Sequence, residues 1–385
     1  MSSNLVDAWV LYPGRSLRPG RAELVRQSVD IGSIGDNELL GDVLFGSWEA
    51  NMAHAMQRSP IDVCRHRREA AVVLGNAGVI RVTDIGERVS TVRVGDHVIV
   101  FPNGQVDRWG YPILMLGYDF PGRSGCLAKR IRLTEDQAIP IPKDTAYSLV
   151  QWAAFSAKYI TAWSNWELAH GVFRLQVPEH EFPSPHVWGW GGGTTLAELQ
   201  LALRLGCRTA MLSGTERNLD LIASAGITAI DRRSLSNLSY DEKRLHSDLE
   251  YRVAYTRAEE DFVAEVSRRT EGEMVQIFVD YVGAPVYRAT LRVLSREGVV
   301  TTAGWKKGME LSHLRATECI SRHQHIYTHY ASRRQGLAAV AYAETNDWMP
   351  TVSQPIYAFD EIPNLAEEYE RGNTGYFPCY AVNGD

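Results

Sequence analysis

Apolar positions in the second half of the chain follow two alternating patterns. Short apolar runs that are typical of buried strands are separated by segments whose apolar residues recur with helical spacing. Helices are predicted between the runs, for example over 196–206 and 215–226. This alternation predicts a doubly wound parallel sheet. The runs are HVWGW (186–190), CRTAMLS (207–213), ITAID (227–231), MVQIFVDYVG (274–283), GVVTTAG (298–304) and HIYTHYA (325–331).

The first part of the chain has a different pattern. Runs rich in β-branched residues at 72–84 and 96–101 predict a β-rich domain, and helical spacing begins at 147. The tail ends in the strand-like FPCYAV, which we expect to return to this domain. We predict an α/β protein with a β-rich domain at 1–155, completed by 336–385, and a parallel-sheet domain at 156–335. The charged segment 232–257 is either a surface excursion or part of a helix.

Composition narrows the class of protein. The 385 residues are 45% hydrophobic and 22% charged, which is typical of a globular chain. The net charge of −6 offers no basic surface for nucleic acid, and no apolar run approaches the roughly 20 residues of a membrane helix. The start of the chain has no long apolar stretch, so we predict a cytoplasmic protein. The cysteines fit neither a disulfide framework nor a four-thiolate zinc site; they are Cys64, Cys126, Cys207, Cys319 and Cys379.

The strongest local motif is a glycine-rich turn between a predicted strand and a predicted helix. Glycines let a backbone approach a pyrophosphate, whose charge is then stabilised at the helix N terminus. Thr194 or Thr195 stands where a third glycine is expected, and Trp190 is bulky for such a turn. We predict a Rossmann dinucleotide site, with a degenerate, empty site as the alternative. The close-approach positions are Gly189, Gly191 or Gly192, and Gly193.

The residues after the second strand of this domain bear on the choice of nicotinamide cofactor. That strand ends in Ser213, followed by Thr215 and Arg217, with no carboxylate at its tip. A carboxylate there would hold the ribose 2′-hydroxyl of NAD, whereas a guanidinium pairs with a 2′-phosphate. We therefore predict NADP(H), the alternative for Arg217 being a solvated residue at the start of a helix.

Several motifs in the same order resemble those of the medium-chain dehydrogenase/reductase superfamily. They are LGNAGVIRVTDIGERVSTVRVGDHVIV (74–100), the glycine turn with its helix, FVDYVG (278–283), GVVTTAG (298–304) and the closing FDEIPNLAEEYERGNTGYFPCYAV. The resemblance covers nearly the whole chain. It implies a chaperonin-like, β-rich catalytic domain beside the doubly wound Rossmann domain, and a homodimer formed through the edge strand 325–331. It also implies cofactor contacts from Thr161, Val282, Gly304 and Trp305.

The zinc-dependent members of that superfamily differ from this chain at their ligand positions. Asn76 and Ala77 stand where those members have a His-Glu pair, and the stretch 44–56 lacks their early cysteine. The four-cysteine lobe is replaced by NGQVDRWGYPIL. The resemblance therefore implies a zinc-independent enzyme, and such relatives mostly reduce activated C=C bonds. GSWEANMAH and the region around His329 resemble the crotonyl-CoA reductase/carboxylase branch, but Lys129 stands where an acidic residue is common there, and we do not predict carboxylation.

The resemblance also points to candidate catalytic residues, and each of them has a structural alternative. Asn51 and His54 stand in the segment that replaces the zinc ligands, and Glu49 is a general acid or a solvated carboxylate. Tyr159 is a proton donor or a packed core residue. His329 is a hydrogen-bond donor near the nicotinamide or a core histidine, and a strand over 325–331 would place it on one face with His323 and His325. An aromatic pocket for the substrate is predicted from Trp48, Trp109 and Tyr118, with Trp305 beside it.

The sequence thus predicts a zinc-independent, NADPH-dependent reductase of an activated C=C bond, in an enoyl thioester or a conjugated carbonyl. The predicted partner is a small-molecule or acyl-thioester substrate, with no nucleic acid and no membrane. Two alternatives remain: a ketone or alcohol oxidoreductase without zinc, and a cofactor-binding protein without redox turnover.

Overall fold

The computed structural model describes residues 4–14, 20–304, 306–308, 310–352 and 355–384. The chain forms two compact units. The first comprises Met1–Ile160 and Ala331–Asp385, and the second comprises Thr161–Tyr330.

Strands and helices are numbered in chain order. The strands are β1 (Leu5–Leu11), β2 (Leu24–Asp30), β3 (Glu38–Ser47), β4 (Gly78–Ile85), β5 (His97–Val100), β6 (Asn103–Val106), β7 (Pro112–Met115), β8 (Arg130–Thr134), β9 (Ala138–Pro140), β10 (His186–Trp190), β11 (Arg208–Ser213), β12 (Thr228–Asp231), β13 (Val275–Asp280), β14 (Leu294–Thr302), β15 (Gln324–Tyr327) and β16 (Cys379–Ala381). The α-helices are α1 (Ala50–Gln57), α2 (Val63–Arg67), α3 (Leu149–Gln176), α4 (Gly193–Arg204), α5 (Glu216–Ser224), α6 (Glu242–Ser247), α7 (Leu249–Arg269), α8 (Ala284–Arg292), α9 (Arg315–Ser321), α10 (Arg333–Asn346) and α11 (Ile362–Arg371).

The first unit is built on an antiparallel sheet with strand order β16-β3-β4-β5-β9, and β8 pairs with β3. Strand β16 pairs with the end of β3, Cys379 lying opposite Ser47, so the tail belongs to the sheet of this unit. The glycine- and aromatic-rich loop that follows β5 contains a hairpin, β6–β7. A core of aliphatic residues from β1, β3, β4, β5 and β8 lies on one face of the sheet and packs against α1, α2 and α11.

The second unit is a six-stranded sheet with the order β12-β11-β10-β13-β14-β15, and all its pairings are parallel. Every residue of β10 and of β13 is buried, which fits central strands covered on both faces. This architecture confirms the predicted fold class: a β-rich unit beside a doubly wound parallel sheet. The undecided segment 232–257 contains a short helix, α6, and the first part of the long helix α7.

One strand prediction is wrong in its extent. The run 325–331 is a strand only as far as Tyr327, and the backbone N–H of Thr328 makes the last hydrogen bond of the ladder with β14, to the carbonyl of Thr302. His323 precedes β15 and His329 follows it, so the three histidines do not share one strand face. The Thr328 side chain donates to Asn165 of α3, a contact that the apolar pattern does not indicate.

Candidate functional site

The glycine turn lies at the carboxyl end of β10 and leads directly into α4. Gly191 has a φ of +156°, and a Cβ atom at this position would overlap the Oγ1 atom of Thr195. A Cβ atom at Gly189 would lie 2.6 Å from the Cγ2 atom of the same threonine. Thr195 therefore fills the space under two glycines, which explains why the motif tolerates a threonine near its third glycine position. Among the described residues, no atom lies within 4 Å of where a Cβ atom of Gly192, the N-cap of α4, would stand, so there is open space beside this helix start.

The side chain of Trp190 points away from the turn. Its ring packs in the core of the second unit, with centroids 5.3 Å from Phe262 and 5.0 Å from Phe278. The bulky residue therefore occupies the interior of the unit. It leaves the space above the glycines unobstructed.

Three chain segments converge beside this turn at the carboxyl ends of β10, β13 and β14. The Cβ atom of Tyr281 lies 3.0 Å from where a Cβ atom of Gly191 would stand, and its ring lies 3.2 Å from the equivalent point at Gly304. Val282 follows Tyr281 and is half-buried, as is Thr194 in the first turn of α4. Thr161 is half-buried on α3, and Trp305 lies outside the described residues. Gly189, Gly191, Gly193, Thr195 and Gly304 are thus grouped at the edge where doubly wound sheets bind ligands.

A basic cluster that the sequence reasoning missed lies near the next strand. The Nε atom of Arg232, which follows β12, lies 2.5 Å from where a Cβ atom of Gly214 would stand, directly after β11. Burial lowers the pKa of Lys306, and the neighbouring positive charges of Lys307 and Arg232 lower it further. None of these three cations forms an ion pair with another described residue. Like charges held together without carboxylates create a site for an anion.

The residues predicted for the 2′-phosphate lie next to Gly214 in the sequence. Ser213 is buried at the end of β11, whereas Thr215 and Arg217 are exposed at the start of α5. The nearby carboxylates of Asp231 and Glu216 both bind Arg233. Arg232 and Arg233 follow the predicted strand ITAID directly, and this pair of arginines at a strand end was the available sequence signal.

A buried polar network lies beneath the glycine turn. Asn165 on α3 donates its side-chain amide to the Oε1 atom of Glu198 at 2.7 Å. Its Oδ1 atom accepts hydrogen bonds from Thr301 at 3.0 Å and from Thr328 at 2.7 Å. Burial raises the pKa of Glu198 well above its ordinary value. Sequence patterns gave no signal for Asn165 or Glu198, because each stands among several other polar residues in its helix.

In the first unit, the segment that joins β3 to α1 is fixed by a buried ion pair. Lys158 on α3 donates hydrogen bonds to Ser47 at 2.8 Å and to the Glu49 carboxylate at 2.5 Å. Glu49 is therefore paired rather than solvated, and it is the N-cap of α1, although its side chain makes no capping hydrogen bond. Asn51 and His54 follow on α1 and are half-buried, and the Oδ1 atom of Asn51 has no hydrogen-bond partner. Lys158 is the residue of this group that the sequence analysis did not single out.

The predicted aromatic residues do not form one cluster. Trp48 is fully buried in the core, and Tyr118 packs partly buried against that core. Burial raises the pKa of Tyr118 to about 12. Trp109 lies at the tip of the β6–β7 hairpin, 66% exposed and stacked under the Arg108 guanidinium. Tyr159 is fully buried among aromatic rings, stacked on Phe155.

Histidines surround one carboxylate at the edge of the parallel sheet. The Oε2 atom of Glu318 lies 2.9 Å from His323 and 2.8 Å from His325, and the other nitrogen of His325 lies 2.6 Å from the Tyr287 hydroxyl. Within the described ranges, no group of three or more His, Cys, Asp or Glu side chains has an arrangement that could hold a metal ion. His329, the histidine singled out by the sequence, is exposed after the end of β15.

The fold of the chain matches the folds of known structures. Crotonyl-CoA carboxylase/reductase AntE in complex with NADP superposes with a TM-score of 0.79 at 19% identity, over 100% of this chain and 96% of that one. This is their fold. The 2-octenoyl-CoA carboxylase reductase CinF, in complex with NADP and 2-octenoyl-CoA, gives a TM-score of 0.81 at 17% identity, covering 100% and 89%. A thermostable alcohol dehydrogenase from Pyrobaculum aerophilum gives 0.73 at 16%, covering 98% and 100%.

The other comparisons add nothing to the shared fold. No family model matches the chain, and no curated protein sequence matches it significantly. Among the described residues, no helix has the length and apolar character needed to cross a membrane.

Proposed function

We propose that this chain is an NADPH-dependent reductase that transfers hydride to an activated C=C bond, with an enoyl thioester or a conjugated carbonyl as substrate. The observation that carries the proposal is the open glycine turn at α4 with the Arg232 guanidinium close to Gly214. Two solved structures of the same fold are complexes with NADP, and one of them also holds 2-octenoyl-CoA. In this proposal 156–335 is the cofactor-binding domain, and 1–155 with 336–385 is the catalytic domain.

The residues present fit a phosphorylated dinucleotide. We expect the turn to admit a pyrophosphate, because Gly192 has no side chain and no described atom lies within 4 Å of its Cβ position. Arg232 and Arg217 would hold the 2′-phosphate, and Lys306 would face the other anionic groups. Tyr281, Val282 and Gly304 would line the crevice. When bound, NADPH supplies a hydride.

The remaining chemistry falls to side chains of the chain. His329 is exposed at the strand ends and can donate a hydrogen bond or a proton to the developing enolate oxygen. Asn51, with an unpaired buried Oδ1 atom, and His54 are the polar groups proposed to orient the substrate. Lys158 fixes the loop that precedes them. The proposal of C=C chemistry rests on the sequence: Asn76 and Ala77 stand where zinc-dependent relatives have ligands.

Carboxylation is not part of the proposal. The Lys129 side chain, at the position where an acid is common in the carboxylating branch, lies over the Phe359 ring with its Nζ atom 5.6 Å from the centroid. A cation held on an aromatic face does not replace a carboxylate. We therefore expect simple reduction, with a proton rather than carbon dioxide reaching the α-carbon.

The experiment is a fluorescence titration with NADPH and NADH, followed by acceptor assays. We expect NADPH to bind more tightly than NADH, and Arg232→Gln to weaken NADPH binding by about tenfold or more while leaving NADH binding nearly unchanged. NADPH oxidation with crotonyl-CoA or 2-octenoyl-CoA, equal with and without bicarbonate, would support the reaction. Turnover with ketones alone would favour the ketone or alcohol oxidoreductase. Binding without turnover would favour a cofactor-binding protein, and no binding of either nucleotide would overturn the proposal.

We also propose a homodimer formed through β15, and a cytoplasmic location. Strand β15 lies at an edge of the parallel sheet, and its Tyr327 side chain is 58% exposed. All five cysteines are free, as is usual in a reducing compartment. Light scattering after size exclusion measures the mass; a monomer at micromolar concentration would contradict the dimer.

A further inference from the structure

The carboxyl group of Glu198 is enclosed beneath the glycine turn, and in the part of the chain that the structure describes no cation pairs with it. The residue is fully buried on α4, and the groups that act on its ionisation are the Asn165 amide and the Tyr281 hydroxyl. No Lys, Arg or His is among them. A carboxylate without a counter-charge in such a place costs far more free energy than the neutral acid. The geometry therefore favours a protonated Glu198.

The hydrogen bonds indicate which oxygen carries the proton. The Oδ1 atom of Asn165 accepts hydrogen bonds from two threonine hydroxyls, so its Nδ2 atom must face Glu198. Oε1 of Glu198 is then an acceptor, and the proton belongs on Oε2. The Oε2 atom of Glu198 and the Tyr281 hydroxyl are both buried without a hydrogen bond of standard geometry among the described residues, and the two side chains are close enough to shift each other's pKa. The Tyr281 hydroxyl is the acceptor at hand.

Tyr281 connects this acid to the glycine turn. Its Cβ atom packs against Gly191 and its ring packs against Gly304. Its backbone N–H donates to the Trp190 carbonyl at 3.2 Å, and its carbonyl accepts from the Lys306 N–H at 3.0 Å. A movement of Tyr281 would therefore displace both the glycine turn and the segment that carries the basic cluster.

We propose that Glu198 is a positioning residue of the dinucleotide site: as a neutral acid it donates Oε2–H to the Tyr281 hydroxyl and holds the Tyr281 ring under Gly191. The inference rests on the proposed function and adds to it a proton-dependent affinity. Binding is strong while Glu198 is protonated and weakens when alkaline solution removes that proton, because the new charge faces a buried hydroxyl and an apolar interior.

The groups that face Glu198 allow this assignment to be tested by pH. They are Asn165 from α3 and Tyr281 from the turn after β13. Tyr281 is the one that titrates; its pKa is raised well above the ordinary value, mainly by burial and further by Glu198. Behind them, Thr301 and Thr328 donate hydrogen bonds to Asn165.

The first experiment measures NADPH affinity between about pH 6 and about pH 10 for the wild-type chain and Glu198→Gln. We expect the wild-type dissociation constant to rise by up to roughly tenfold per pH unit once the acid ionises. Glu198→Gln keeps a donor at the same place, so it should bind well at neutral pH and lack this alkaline loss. The variant also keeps Lys306 and Lys307, so a loss of NADPH affinity that both proteins show is assigned to the deprotonation of those lysines. Equal profiles would overturn the proposal, as would absence of NADPH binding at every pH.

The second experiment needs no nucleotide and so separates this inference from the proposed function. Infrared spectra of the wild-type chain should show a protonated-carboxyl C=O band that disappears at alkaline pH and is absent from Glu198→Gln. In Tyr281→Phe the band should move to higher frequency, because the acid loses its hydrogen-bond acceptor. A wild-type spectrum without this band at neutral pH would overturn the inference even if NADPH binds.

Discussion

The ammonium group of Lys158 lies 2.5 Å from the carboxylate of Glu49, and both side chains are almost fully buried. Lys158 also donates to Ser47 and to the carbonyl of Trp48. One residue of α3 therefore fixes three consecutive residues at the end of β3 and the start of α1. The ion pair and these two hydrogen bonds together hold the segment that joins β3 to α1.

Lys158→Met should destabilise the first unit strongly, because it leaves the Glu49 carboxylate buried without its cation. We expect a loss of about 3–5 kcal/mol in the free energy of unfolding, measured by urea denaturation. The double variant Glu49→Gln with Lys158→Met should recover most of this loss. Lys143→Met, which removes an exposed ion pair with Asp96, is the matched control and should change little. Equal losses in the single and double variants would contradict the ion-pair explanation.

The glycine turn offers a pair of matched substitutions. Gly191→Ala should destabilise the second unit, because its φ of +156° is unfavourable for alanine and its Cβ atom would overlap Thr195. We expect a fall in the melting temperature corresponding to about 1–3 kcal/mol. Gly192→Ala, with nothing within 4 Å, should leave the melting temperature unchanged. Adding Thr195→Ala to Gly191→Ala should restore part of the loss, and a result without any restoration would show that overlap with Thr195 is not the cause.

Thiol chemistry should distinguish one cysteine from the other four. Cys319 is exposed, whereas the others are buried, and burial raises the pKa of Cys126, Cys207 and Cys379 to about 12 in each case. Thiolates are the reactive form, so a disulfide reagent should titrate about one thiol in the native chain and all of them after denaturation. Cys319→Ser should remove the fast reaction. Rapid labelling of a second thiol in the native protein would contradict the burial.

Stability should fall in mild acid because of buried histidines. Burial lowers the pKa of His325, whose ring accepts or donates hydrogen bonds on both sides, to Tyr287 and Glu318. Its folded pKa lies below the unfolded value of about 6.5, so the unfolded state binds the proton first. The free energy of unfolding should therefore decrease as pH falls below about 6.5, by at most about 1.4 kcal/mol per pH unit for this residue. His325→Gln should flatten the profile; an unchanged slope would assign the effect to His97, His170 and His186, whose pKa values burial also lowers.

The sequence alone predicted the parallel sheet well, because buried strands and amphipathic helices differ in the period of their apolar residues. The strand 186–190 was predicted with its observed bounds, and the glycine turn lies where the motif placed it. The prediction overextended β15, since HIYTHYA has strand-forming residues but the Thr328 side chain donates to Asn165 of α3. Local composition does not report such a tertiary hydrogen bond.

The polar interior was less predictable than the fold. Lys158, Asn165 and Glu198 are separated by long stretches from the residues that they bind, so no local spacing marks them. Trp109 shows the opposite case. It belongs to a loop with the composition of an aromatic pocket, yet it lies on an exposed hairpin tip. Residue type predicted the chemistry available to the site, and only the packing showed which groups meet.

Because Trp190 packs against α7, the long connection after β12 contributes to the core of the second unit. The Trp190 ring is covered by Phe262 of α7, and Ala258 and Val266 of that helix belong to the same core. A shortened chain that dispenses with the charged segment would uncover an indole next to the glycine turn. The connection is thus a poor site for a tag or a fusion. Among proteins of this fold, we expect the length of this connection to vary only before the part of α7 that covers Trp190.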